Sequence, residues 1–157
     1  ASKKTNADII MRITSDCPFV NPSVNQKVLN TLMCNLDKYD YVSNVIPPSY
    51  PHGLDCEVFT FDALKKSYLM AIKEYELEHV TTWMINSSGI NKKNVKCEIP
   101  NIKDIRLVLD YREDLEVFQK LMMIDDFYQN RFDLAKICKI LKKNKFLLKV
   151  NEKFKIR

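Results

Sequence analysis

Two carboxylates stand at places where a chain could use them for chemistry. Asp16 follows the apolar run "IIMRIT" within "ADIIMRITSDCPF", and Asp110 follows "IRLVL". If both runs are strands of one sheet pointing the same way, their acids converge on a hard divalent cation. Carboxylates hold such a cation while leaving positions for substrate phosphate oxygens. The plainer alternative is that each acid caps the turn or helix that follows it. Asp55 and Glu57, in "GLDCEVF", lie two apart and share a face if a strand begins there, and Gly53 lets the loop backbone approach a ligand. His79, after Glu78 in "LEHVTTW", offers an imidazole to an anionic or hydroxyl-rich ligand, or caps a helix start beside its acidic neighbour. His52 reads as an exposed loop residue. The five thiols, at Cys17, Cys34, Cys56, Cys97 and Cys138, have no C-x-x-C spacing and no histidine at a nucleophilic spacing. That argues against a disulfide framework, a zinc site and a thiol hydrolase.

Positioning such residues requires a scaffold, and periodicity supplies one. "ADIIMRIT" is rich in β-branched residues and reads as a buried strand of a parallel or mixed sheet. Asn21 caps a helix starting at Pro22, with Val24, Val28, Leu29 and Leu32 at helical spacing and an end near Leu36. "YDYVSNV" and "CEVFTF" read as strands on either side of "IPPSYPHGLD", a loop too stiff for a helix and too polar for a core. An amphipathic helix follows from Asp62, then a short one in "EHVTTWMIN" that Gly89 stops. "VKCEI" and "IRLVLD" read as strands, and "REDLEVFQKLMMIDDFY" as a helix with apolar residues at Leu115, Phe118, Leu121 and Met122 and acids in its first turn. A last helix starts at the Asp133 cap and precedes a basic end. The alternation predicts an α/β fold, with no repeat or composition break across residues 1–157, hence a single domain. In such folds ligands sit beyond the carboxyl ends of the strands, where both aspartates fall.

Composition sets limits. A chain of 157 residues can bury roughly 70% of its unfolded surface without staples. The formal charge of +5 comes from 25 Lys+Arg against 20 Asp+Glu, and the excess gathers in "KICKILKKNKFLLKVNEKFKIR". Without an arginine-rich or aromatic-basic platform this end reads as a solvated face, so nucleic acid is not the expected partner. No apolar run approaches the ~20 residues that span a bilayer, and "ASKKTNAD" lacks a signal peptide's apolar core, so a cytoplasmic protein with no membrane partner is expected. Gly53 and Gly89 are the only glycines, too few for a P-loop or a dinucleotide fingerprint.

Four ordered motifs carry a resemblance: "RITSDCP", "NVIPPSYPHGLDCEVF", "EHVTTWM" and "LVLDYREDLEVF". Together they resemble cytidylyltransferases of the spore-coat polysaccharide biosynthesis type, relatives of the acylneuraminate and ketodeoxyoctonate cytidylyltransferases. The resemblance implies a nucleotide-diphospho-sugar transferase fold with a mixed sheet. It also implies transfer of CMP from CTP to an acidic or modified sugar, with release of pyrophosphate, for surface polysaccharide or glycan synthesis. Asp16, in the R-x-T-x-D-x-P pattern, and Asp110, in D-x-x-E-D, match the carboxylates that hold magnesium. Arg12 matches the motif's arginine beside them. Gly53, Leu54, Asp55 and Glu57 match a loop facing the sugar, and Glu78, His79 and Thr81 a segment near that pocket. A homodimer is implied as well.

The family's opening strand and basic loop, A-R-x-G-S-x-R-x-P-x-K, which bind the nucleotide, have no counterpart here. The expectation is that the chain corresponds to the C-terminal two-thirds of such a domain, lacks the N-terminal nucleotide-binding strands, and is inactive alone. A non-catalytic remnant acting as an interaction module is the alternative, and a nucleic-acid binder using the basic end a weaker one. The sugar acceptor stays open.

Overall fold

The structure is a computed structural model that describes residues 2–154; the last three residues of the basic end lie outside the described residues. The chain forms two compact units, each assembled from separated stretches.

The first unit comprises Ala1–Arg12, Gln26–Pro47 and Cys56–Val95. It holds α1 (Ser2–Thr5), β1 (Ile9–Arg12), most of α2 (Pro22–Met33), β2 (Tyr41–Ser43), β3 (Glu57–Thr60), α3 (Phe61–Met70), α4 (Glu74–Glu78), α5 (Thr82–Asn86) and β4 (Lys92–Asn94). The strands form one mixed sheet in the order β1-β3-β2-β4. β3 runs antiparallel to both β1 and β2, while β2 and β4 are parallel. Register sets the two faces. Val42 lies opposite Val58 and packs with Val28 and Leu32 of α2. One residue along, Tyr41 lies opposite Phe59 and packs with Ala63, Met84 and Ile90 on the other face. The alternation of side chains along a strand is what lets one sheet bury both faces.

Local chemistry explains the boundaries. Asn21 Oδ1 accepts from the amides of Ser23 and Val24, capping α2 as its sequence predicts. The helix ends at Met33, and turns carry the chain onward. Thr60 Oγ1 accepts from the Ala63 amide at 3.1 Å, so strand passes directly to helix at β3–α3. Lys92 Nζ donates to the carbonyls of Met84, Ile85 and Ser87, satisfying the open end of α5.

Two expectations are corrected here. β1 is an antiparallel edge strand with partly exposed residues, because among the described residues only β3 pairs with it; its apolar run is a half-covered edge rather than a buried centre. "VKCEI" is not a strand: the β4 pairing lies immediately before it, at "KKN", where Asn94 Oδ1 also accepts from the Ile46 amide.

The second unit comprises Ile13–Asn25, Pro48–Asp55 and Lys96–Arg157. It contains α6 (Arg112–Met122), α7 (Asp125–Asn130), α8 (Leu134–Lys143), α9 (Lys145–Leu148) and a 3-10 turn at Glu152–Phe154. Its core gathers Phe19, Leu54, Leu107, Val117, Leu121, Phe127 and Leu141, with the Phe19 ring 5.1 Å from that of Phe127. Asp133 caps α8 as expected, accepting from the Lys136 amide. The proline-rich loop is no polar excursion, since Tyr50 and Leu54 are buried in this core. "IRLVLD" is not a regular strand either. Its backbone pairs with loop residues, through one parallel bridge between His52 and Arg106, so no ladder forms.

Candidate active site

Asp16 sits in a tight turn closed by the Cys17 amide donating to the Thr14 carbonyl oxygen at 3.3 Å. Burial opposes ionisation of its carboxyl, but hydrogen bonds from the Thr14 hydroxyl, its own backbone amide and the Cys17 thiol outweigh this and hold it below the ordinary carboxylate value. The Cys17 thiol is pushed up to about 11 by burial and by the neighbouring carboxylates, against a lowering contact from Thr14. It is therefore a protonated donor beside Asp16, not a nucleophile.

The second aspartate reaches the first through the backbone. The Leu109 amide donates to the Asp16 carbonyl oxygen at 2.8 Å, which sets Asp110, the next residue, against the Asp16 turn. Two further bonds anchor the run: His52 N to the Ile105 oxygen at 2.9 Å and Leu107 N to the His52 oxygen at 2.7 Å. Gly53 makes this packing possible. Its φ is +103°, and a Cβ there would lie 2.6 Å from the Leu107 carbonyl carbon. The glycine serves backbone approach, as its type suggested, but the backbone approached is Leu107.

Beneath Asp110 lies a buried ionic cluster. Arg106 donates from Nε to Asp114 Oδ1 at 2.8 Å and from Nη2 to Asp114 Oδ2 at 2.7 Å, and its Nη2 also reaches Asp110 Oδ2 at 2.7 Å. Asn151 Nδ2 donates to Asp114 Oδ1 at 2.8 Å, and the amides of Asp110 and Tyr111 donate to Asp114 Oδ2. Burial works against the charge on Asp114, yet Arg106, Asn151 and the two amides hold its carboxyl below the ordinary value. The Asp110 side chain is 40% exposed, and its Oδ1 has no hydrogen bond among the described residues. Arg106 Nη1 lies 3.2 Å from His52 Nδ1. A guanidinium only donates, so Nδ1 accepts and the histidine proton sits on Nε2. That nitrogen lies 3.9 Å from Asp55 Oδ2. His52 is thus half-buried in a polar chain rather than an exposed loop residue.

The remaining candidates fall into place separately. Leu54 is fully buried in the second unit's core. Asp55 precedes β3, which begins at Glu57, so the two acids do not share a strand face. Glu57 is buried within the first unit, ion-paired to Arg12 at 2.5 Å and accepting a short hydrogen bond from the Tyr41 hydroxyl. Arg12 is therefore committed to Glu57. Burial, then the Glu57 charge, drives the Tyr41 phenol far above its ordinary value. Thr81 is buried at the start of α5, whereas Glu78 and His79 are exposed at the end of α4 with no side-chain hydrogen bond among the described residues.

Asp16 and Asp110 offer hard carboxylate oxygens that are accessible in part and placed by backbone bonds, which fits magnesium. No group of three or more metal-ligating side chains occurs among the described residues. A divalent ion there would draw its other ligands from water and substrate oxygens, as magnesium commonly does. Arg106, Asp114, Asn151 and His52 were not assigned from sequence. One signal pointed to the first pair: a lone arginine inside the apolar run "IRLVL" must find a carboxylate if the run is buried.

No family model matches the sequence. The chain is 33% identical over 156 residues to an uncharacterised protein of Methanocaldococcus jannaschii, covering 96% of this chain and 60% of that protein. Its fold superposes on a cytidylyltransferase from Leptospira borgpetersenii serovar Hardjo-bovis with a TM-score of 0.86, over 94% of this chain and 61% of that one, at 24% identity. The two share a fold. The chain spans about three-fifths of the length of either relative. The expected α/β class with a mixed sheet is thereby borne out. Among the described residues no helix is long and apolar enough to cross a membrane.

Proposed function

We propose that the chain is the metal-binding and acceptor-side part of a nucleotidyltransferase that transfers CMP from CTP to an acidic or modified sugar and releases pyrophosphate. One observation supports this reading: the backbone bond from Leu109 to Asp16, which joins the two chain segments that carry the aspartates, in a fold shared with a cytidylyltransferase. Asp16 and Asp110 would hold Mg2+, which when bound would offset the negative charge that builds on the phosphoryl oxygens. Thr14 and Cys17 fix the Asp16 carboxylate, and Arg106 holds one oxygen of Asp110 so that the other faces outward. His52 and Asp55 line the loop next to this pair through Arg106, where a sugar hydroxyl could be oriented. Glu78, His79 and Thr81 belong to the proposal as further acceptor-side residues by motif alone, and Arg12 and Glu57 as a pair that braces β1 against β3. The pathway assigned is synthesis of a surface polysaccharide or glycan, in the cytoplasm.

Mn2+-induced line broadening in this chain tests the metal pair, and pyrophosphate release from CTP with a panel of acidic sugars tests the reaction in a protein that carries this chain together with a nucleotide-binding segment. Broadening centred on Asp16 and Asp110 is expected, lost in Asp16→Asn. Broadening elsewhere, or none, sinks the metal assignment. Release with a nucleotide other than CTP would keep the metal pair and overturn the cytidylyl assignment.

A further inference from the structure

A guanidinium carries five N–H donors in a rigid plane, and each one on Arg106 has its own acceptor. Nε donates to Asp114 Oδ1, and Nη2 divides its two hydrogens between Asp114 Oδ2 and Asp110 Oδ2. Nη1 lies 3.2 Å from His52 Nδ1 and donates to the Phe154 carbonyl oxygen at 3.4 Å. That last acceptor belongs to the 3-10 turn at Glu152–Phe154, 48 residues beyond Arg106.

The same stretch meets the cluster at two more points. Asn151, just before the turn and 1% exposed, donates from Nδ2 to Asp114 Oδ1 at 2.8 Å and to the Arg106 carbonyl oxygen at 3.4 Å. Its Oδ1 is buried with no hydrogen bond among the described residues. A buried carboxamide ordinarily satisfies both of its ends, so this one is placed for its donor. The Phe154 ring stacks on that of Tyr111, with centroids 3.9 Å apart and planes 9° from parallel, and Arg106 Cζ lies 5.4 Å from the Tyr111 centroid. Lys153 adds a bridge to Glu113 at 2.7 Å, of the exposed kind that contributes little.

These contacts leave the guanidinium one orientation. Asp114 already accepts from Arg106 Nε and Nη2, from Asn151 and from two backbone amides, so its carboxylate has no room for a further donor. The second Nη2 hydrogen is left for Asp110. A rotation that released Asp110 would also break the bond to Phe154, because the guanidinium moves as a plane.

We infer that Asn151 and Phe154 are positioning residues of the aspartate site, which hold Arg106 in the orientation that fixes the Asp110 carboxylate. The inference deepens the proposed function, and it rests on that reading only for what the carboxylate is held to do.

Two readouts in this chain test it. Three-bond couplings of the Asp110 β protons should report one χ1 rotamer in the wild type and averaging over rotamers in Phe154→Ala and in Asn151→Ala. Mn2+ should bind each variant roughly tenfold or more weakly, the scale of losing the outer partner of a metal ligand. Phe154→Tyr keeps the stack and should behave as wild type. Phe127→Leu trims the same core without removing a hydrogen bond or ring contact of Arg106, so it should lower the melting temperature and leave the single rotamer. Averaging in the wild type, one rotamer kept in both turn variants, or averaging in Phe127→Leu as well would each overturn the inference. So would Mn2+ affinity at Asp110 that neither variant changes. A single wild-type rotamer that the variants lose, with no Mn2+ bound beside it, upholds the inference and sinks the metal assignment.

Discussion

Arg106 grips Asp114 through two nitrogen–oxygen bonds of 2.8 and 2.7 Å, one to each carboxylate oxygen, at the first turn of α6. The Asp114 side chain is fully buried, and Arg106 is almost so. Such a pair orients whatever else Arg106 holds, and what it holds is Asp110. Asp114 is a positioning residue for a carboxylate it does not itself replace.

Asp114→Ala strands a guanidinium in the interior and leaves two backbone amides without their acceptor. Loss of one partner of a buried pair costs about 3–5 kcal/mol. Urea denaturation should show that loss. A change below about 1 kcal/mol would mean that water replaces the carboxylate easily.

Acid should weaken the fold through the same groups. Asp16 and Asp114 both lie below their ordinary value of 3.8 when folded, so near that pH the unfolded chain binds more protons. Their contribution is complete above the ordinary value and drains away as pH falls through the lowered ones. Urea midpoints measured from neutral pH down to about 3 should fall, and Asp114→Asn should flatten the slope. An unchanged slope in that variant would assign the acid sensitivity to other carboxylates.

Gly53→Ala should be costly despite adding one methyl group. Its φ of +103° is strained for any side chain, and the new Cβ would strike the Leu107 backbone. A loss of roughly 1–3 kcal/mol is expected, with Asp110 disturbed because Leu107 and Leu109 share its backbone run. Thermal melting gives the first quantity and amide shifts of residues 107–110 the second. Wild-type stability would show that the loop can move away from Leu107.

Asp16→Asn should lower the melting temperature by the modest contribution its carboxylate makes, and Asp110→Asn, whose side chain is 40% exposed, should keep the fold. In a protein that carries this chain together with a nucleotide-binding segment, each should cost roughly 10²–10³ in turnover, the scale of a lost electrostatic stabiliser. Normal turnover in either would contradict the metal role.

The pattern of what could be read beforehand follows from the range of each interaction. Asn21, Thr60 and Asp133 act within three residues, so capping chemistry is visible in the sequence. β2 and β3 alternate and were legible for the same reason. "IRLVLD" was not, because a buried run with two adjacent inward residues, Leu107 and Val108, looks the same whether its backbone partners are strands or loops. α6 shows the opposite failure. Its apolar pattern includes Leu115, but the face that is buried holds Asp114, Val117 and Leu121, with Asp114 paired to Arg106, and Leu115 is exposed. The aspartates were located by motif, whereas Arg106, Asn151 and His52 join them over separations that spacing does not record.

Each unit is threaded from three stretches that alternate along the chain, and the aspartate site draws on all three stretches of the second. No single cut yields either unit intact. The site therefore cannot travel between genes as a cassette, and it cannot be isolated by trimming one end.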